Sequence, residues 1–139
     1  MTLSSVRAGL LLTLVIIWAS VISEAQEGLK KTDRRGPVTV EVTLILPAAT
    51  GEPIRAKVVL DTHSVALDST ALDQIVVLRV ADGADVSPTA VEAAQDSSHH
   101  REAVLVFPPV AGAGTIRILV RNVGGIAERS FSWELPPAR

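Results

Sequence analysis

The 139-residue chain has no cysteine, no tyrosine, one methionine (Met1), two phenylalanines and two tryptophans. Without cysteine there can be no disulfide framework, no thiolate nucleophile and no sulfur-ligated metal. With Met1 as the lone thioether, a methionine-rich Cu(I) site is excluded. Beyond the N-terminal segment the aromatics are Phe107, Phe131 and Trp133. No basic stripe accompanies them, so there is no platform for stacking nucleic-acid bases. Charge of one sign is lacking too: 13 Lys and Arg face 15 Asp and Glu, a net charge of −2. That balance carries no electrostatic footprint for nucleic acid or anionic membrane. Nucleophile elbows and phosphate loops are missing as well. Gly112-x-Gly114 lies between two strand patterns rather than ahead of a helix, so it reads as a hairpin turn. Ser64 follows His63 directly, which on an extended segment sends the two side chains to opposite faces. The expectation is a protein that is not an enzyme.

What is present begins with an export signature. Met1 to Arg7 carry one basic side chain, and an apolar run follows from Ala8 to Ala19, too short for the roughly 20 residues of a spanning helix. Ser23-Glu24-Ala25 places small residues at both positions of an A-x-A-like cleavage site. Residues 1–25 are therefore expected to be a helical signal peptide. The product would begin at Gln26, and its destination would be the periplasm or the medium. Lys30, Lys31, Arg34 and Arg35 would lie on the wrong side for a retained anchor under the positive-inside bias. No cysteine stands near the cut to carry a lipid, and no second apolar segment is long enough to span a bilayer.

Residues 26–37, polar and charged, are expected to be a flexible lead, and 136–139 a short polar tail. Between them, 38–135 alternate with the period of strands. Val38, Val40, Val42, Leu44 and Leu46 share one face, and Pro47 stops the run. Ile54, Ala56, Val58 and Leu60 repeat the pattern, so these two strands can pair as a hairpin. Ser69 to Gln74 is expected to form one helical turn capped by Asp68 or Ser69. Gln74 to Val80, Glu102 to Phe107, Ile116 to Arg121 and Ser130 to Leu135 read as further strands. Pro88 to Ala94 reads as an edge strand, and Gly124-Gly125 as a tight turn. About seven short strands in one domain of this length point to an all-β, antiparallel sandwich of the immunoglobulin-like or fibronectin-like kind. Phe131 and Trp133, on one face of the last strand, are expected in its core.

Chemistry concentrates at histidine. The chain has three, at two places. His63 sits in Asp61-Thr62-His63-Ser64-Val65-Ala66-Leu67-Asp68, and His99 and His100 sit in Ser97-Ser98-His99-His100-Arg101-Glu102. Asp61 and His63 project to the same face, opposite Leu60. If the two strand ends meet at one pole, imidazoles and carboxylates converge without thiolate, a donor set suited to Cu(II) or Zn(II). The candidate metal ligands are His63, His99, His100, Asp61 and Asp68. The alternative is a metal-free interaction module of the cell envelope, with His63 hydrogen-bonded to backbone and the aspartates capping turns. A second constellation is Arg117, Arg121 and Arg129, expected to share an outward sheet face with Glu134 in cross-strand charge pairs.

The pattern of Asp61-Thr62-His63-Ser64 with Leu67-Asp68, then His99-His100, then Glu128-Arg129-x-Phe131-x-Trp133 resembles uncharacterised bacterial exported β-sandwich domains over about residues 38–135. That resemblance implies the fold and no activity. A looser similarity, resting on size and His/Asp usage, is to small periplasmic copper-carrier sandwiches of the CopC type. The chain departs from them in having no His at its expected mature N-terminus, so that likeness points only toward Cu(II).

Overall fold

The computed structural model describes residues 29–46, 51–67, 71–112 and 114–135. The expected signal peptide, the C-terminal tail and Asp68 lie outside the described residues. The elements are β1 (Lys30–Asp33), β2 (Val38–Ile45), β3 (Ile54–Thr62), α1 (Leu72–Ile75), β4 (Val76–Val80), β5 (Asp85–Val86), β6 (Ala90–Asp96), β7 (His100–Phe107), β8 (Gly114–Val123) and β9 (Ile126–Leu135). They form two antiparallel sheets, ordered β1-β2-β3-β7-β6 and β5-β4-β8-β9. Val38, Val40, Val42, Leu44, Leu60, Leu105 and Phe107 of one sheet meet Leu78, Ile116, Ile118, Val120, Phe131 and Trp133 of the other in a single buried core. The architecture is the expected all-β sandwich. Its strength comes from strict alternation: each inward Val, Ile or Leu removed from water contributes roughly 1.5–3 kcal/mol before chain entropy is counted.

β2 and β3 form the expected hairpin, and β6 is an edge strand, exposed along its whole length. A register shift between Glu92 and Gln95, with Ala93 at φ 48°, bulges β6 and blunts that edge. Gly124 and Gly125 close the β8–β9 hairpin with φ of 60° and 76°, the positive values a type I′ turn needs at both central positions. A Cβ on Gly124 would also lie 2.9 Å from Val38 Cγ2, so the turn can pack onto β2 only without one. The helical turn starts at Leu72, with Ala71 at its N-cap making no side-chain bond. Ser69, like Asp68, is outside the described residues.

Two expectations are corrected. Within the segment read as a flexible lead, Lys30–Asp33 form an edge strand on β2, with Lys30 opposite Thr43 and Asp33 opposite Val40. No apolar rhythm marks β1. It is held by its ladder bonds and by Asp33, whose carboxylate accepts from Arg35 N (2.8 Å) and Arg35 Nη2 (2.5 Å). Arg129 is not on the outward face. It is fully buried, opposite Val120 on the inward side of β9, in phase with Phe131 and Trp133. Its guanidinium donates to three backbone carbonyls: Val123 (2.7 Å), Arg35 (2.7 Å) and Val38 (3.2 Å). Asp33 Oδ2 lies 3.7 Å from its Nε. Burial pushes the Arg129 pKa down, and the Asp33 charge opposes that shift. The buried charge is tolerated because backbone dipoles and a carboxylate replace its water.

Truncation of Arg129 to Ala strands these carbonyls, and a loss of roughly 3 kcal/mol is expected. Arg121→Ala, on the exposed face, should cost at most about 1 kcal/mol. Urea denaturation of the two variants measures the contrast, and equal losses would refute the assigned role.

Candidate functional site at the histidine pole

The pole is built by the pairing of β3 with β7. Asp61 stands opposite His100 in that ladder, and Val59 opposite Glu102. Beyond the last pair, Thr62 N donates to His99 O at 3.0 Å, so the ladder runs on into both histidine-bearing loops. β6 and β7 close around Ser98 and His99, with Ser97 N donating to His100 O (2.7 Å) and His100 N to Ser97 Oγ (3.1 Å). His99 therefore rides on a hairpin tip. Leu67 N donates to Ser98 O (2.9 Å), which lays the loop after β3 against that tip.

Thr62 and Arg101 fix the loop from below. Thr62, a buried polar residue, donates through its hydroxyl to Pro37 O (2.9 Å) and accepts from Ser64 N and Val65 N (both 3.2 Å). This is a threonine-nucleated turn, and it carries His63 outward. Arg101 reaches Leu67 O at 3.0 Å and Asp96 Oδ1 at 2.9 Å.

The expected site residues divide. Asp61 and His100 meet: Nδ1–H of His100 donates to Asp61 Oδ1 at 2.6 Å. His63 and His99 are exposed beside them, and among the described residues neither ring has a hydrogen-bond or ion-pair partner. Asp68 lies outside the described residues. Two groups that the sequence reading did not single out, Glu102 and Lys57, join the cluster. Glu102 Oε2 is 3.6 Å from His100 Nε2 and 3.1 Å from Lys57 Nζ. The signal for Glu102 was its place two residues after His100, which puts both side chains on one face of the strand.

The histidine ring thus lies between two carboxylates. Asp61 is the main cause of the upward shift of the His100 pKa; partial burial opposes it, and the charges of Asp61 and Glu102 add to it. The Nε2 to Oε2 distance is too long for a hydrogen bond. It is near the edge of a tetrahedron with bonds of ~2.0–2.1 Å, about 3.3 Å. Asp61 on Nδ1 orients the ring and, in the neutral form, leaves the lone pair on Nε2, the atom through which such a ring could ligate a metal. Among the described residues no group of three or more His, Cys, Asp or Glu side chains is placed to hold a metal ion.

The chain matches no protein-family model, no curated protein and no solved structure. The second constellation is self-paired. Arg121 bonds Asp85 (2.7 Å) and Glu128 (2.9 Å), Arg79 bonds Asp85 (2.7 Å), and Arg117 bonds Asp82 (2.7 Å) and the Ala81 carbonyl. Glu134 accepts from the Thr115 hydroxyl at 2.6 Å. No helix among the described residues is long and apolar enough to cross a membrane.

Because the folded-state pKa of His100 is raised, its stabilising contribution is full below the unfolded value of about 6.5 and disappears as pH rises through the folded value. The ring is 42% exposed, so solvent screening limits the effect to about 1 kcal/mol or less. Urea midpoints at about pH 5.5 and about pH 8.5 should differ more for the native chain than for His100→Gln. Identical pH dependence in both would remove His100 from this role.

Proposed function

We propose that the chain is an exported, non-enzymatic β-sandwich that takes up a divalent cation, Cu(II) or Zn(II), at the histidine pole. One observation carries this reading. The backbone bonds Thr62–His99 and Leu67–Ser98 bring the segments holding all three histidines of the chain to one end of one sheet, beside Asp61 and Glu102. His100 would ligate through Nε2 with Asp61 orienting it, and the unpartnered rings of His63 and His99 are the nearest further imidazoles. Imidazole with carboxylate and no thiolate suits these two metals. The ligands would have to lose or withhold protons, so uptake weakens as pH falls. Lys57, paired with Glu102, is the cation a metal would displace.

A second reading has its own observation. Both nitrogens of His100 face carboxylates, at 2.6 Å and 3.6 Å, an arrangement that also serves an imidazolium held in an internal ion pair. On that reading the domain is a metal-free envelope interaction module and the cluster is structural.

Titration calorimetry of the full chain with Cu(II) and with Zn(II) separates the two. The metal reading expects stoichiometric binding that His63→Ala and His100→Ala each weaken at least about tenfold. Absence of stoichiometric uptake, with substitutions that alter only the unfolding midpoint, supports the interaction module instead.

A further inference from the structure

The two sheets end in four outermost strands, β1, β6, β5 and β9, and three of them are blunted. β6 carries the bulge at Ala93. β5 is two residues long, and β1 has four, of which two are lysines. Short, bulged or lysine-bearing edges resist pairing with another chain. β9 has none of these devices. It runs ten residues, Ile126–Leu135, with no proline, glycine or lysine. Its pairing with β8 keeps one register from Gly114 opposite Leu135 to Arg121 opposite Glu128. Its one cation, Arg129, turns into the core.

Among the described residues no strand pairs with the other side of β9, so a row of backbone N–H and C=O groups is left open there. Along Ser132, Trp133 and Glu134 the strand borders a cavity of about 340 Å³ walled by Leu29, Leu44 and Leu46. On the outward face the middle of the strand presents Ser130, small and exposed, which holds no second chain off. Glu128 is offset by Arg121 at 2.9 Å, so the edge carries no run of charge that would select a basic peptide.

Read against itself, β9 is self-complementary in one register. A two-fold axis normal to the sheet sets residues of the same face opposite each other. With the axis at Ser130, the overlap runs over 126–134, Glu128 meets Ser132 of the second copy, and Glu134 meets Ile126. Moving the axis to Phe131 would set Glu128 against Glu134, a destabilising like-charge pair. Moving it to Ser132 cuts the overlap to 129–135. We propose that β9 pairs antiparallel with β9 of a second copy about an axis at Ser130, joining two four-stranded sheets edge to edge. The pairing uses no residue of the histidine pole, so its fate is independent of metal uptake.

The test is sedimentation equilibrium of the full chain, with EDTA present to remove any metal-bridged species. A reversible dimer is expected, with a dissociation constant of about 100 μM or tighter. Ser130→Lys and Ser130→Glu, at an exposed position, each set like charges opposite one another at the axis, and each alone should weaken the dimer at least about tenfold. An equimolar mixture of the two variants sets opposite charges there and should restore dimerisation to within about threefold of the native chain. The proposal is overturned by a monomer at every concentration up to about 500 μM, by association that either substitution leaves unchanged, or by a mixture as weak as its components.

Discussion

The guanidinium of Arg129 is the interaction on which the rest of this molecule hangs. It projects from the four-stranded sheet and ends on carbonyls of Arg35 and Val38, which lead into the five-stranded one. It also holds Val123, at the base of the β8–β9 turn. Only arginine offers a planar fork with enough donors to serve several carbonyls at once, and lysine would serve them as a single point charge. A buried charge is costly in isolation, and here each nitrogen that donates has backbone oxygen to meet. Nε makes no hydrogen bond and is buried, with Asp33 Oδ2 3.7 Å away. The latch is therefore polar, directional and specific, where the leucine and valine layers around it are not.

The histidine pole and the β1 edge both inherit their geometry from that latch. In one direction, Arg129 fixes the chain at residues 35–38, Pro37 O receives the Thr62 hydroxyl, and Thr62 N meets His99. The histidine pole is thus a few bonds removed from the buried guanidinium. In the other direction, Asp33 ends β1 beside Arg129, and β1 then runs antiparallel to β2 to place Lys31 over Trp133 and Leu29 on the cavity wall. The strand that carries no core residue of its own is thereby positioned by a charge inside the core.

How legible this was in the sequence follows from the range of each interaction. Period-two runs such as Val38-Val40-Val42-Leu44 are local, and they gave the strands, the sandwich and the hairpin of β2 with β3. Pro88 marked the edge and Gly124-Gly125 the turn, because backbone restrictions act within one or two residues. Arg129 was misread although Phe131 and Trp133, in step with it, were read as core. The parity pointed inward, while the cost of burying a charge pointed outward. The carbonyls that settle the conflict come from Arg35 and Val38, 94 and 91 residues away. β1 was hidden for a similar reason: its four residues show only polar side chains, and their pairing partner lies across a turn. At the pole, the loops could be named from sequence, but Asp61 facing His100 depends on register between strands 39 residues apart.

The outward sheet faces narrow where a partner can act. Across the five-stranded sheet, Lys30 pairs with Glu41 (2.8 Å), Arg55 with Glu92 (3.3 Å) and Lys57 with Glu102 (3.1 Å), while the other sheet pairs its arginines with Asp82, Asp85 and Glu128. Each such surface pair is worth little in stability, about 0–1 kcal/mol. Their larger effect is to cancel charge locally, so that neither face presents a field of one sign to a ligand or a neighbouring protein. Val59 and Val106 lie buried beneath these arms, which keeps apolar surface from forming a sticky patch. Against that neutral background the rings of His63 and His99, without a partner among the described residues, stand exposed at one end of the strands. On the proposed reading, recognition belongs to that end of the strands and not to the broad, internally neutralised faces. The same Arg129 latch that holds the sheets together sets the geometry of that pole through Pro37 and Thr62.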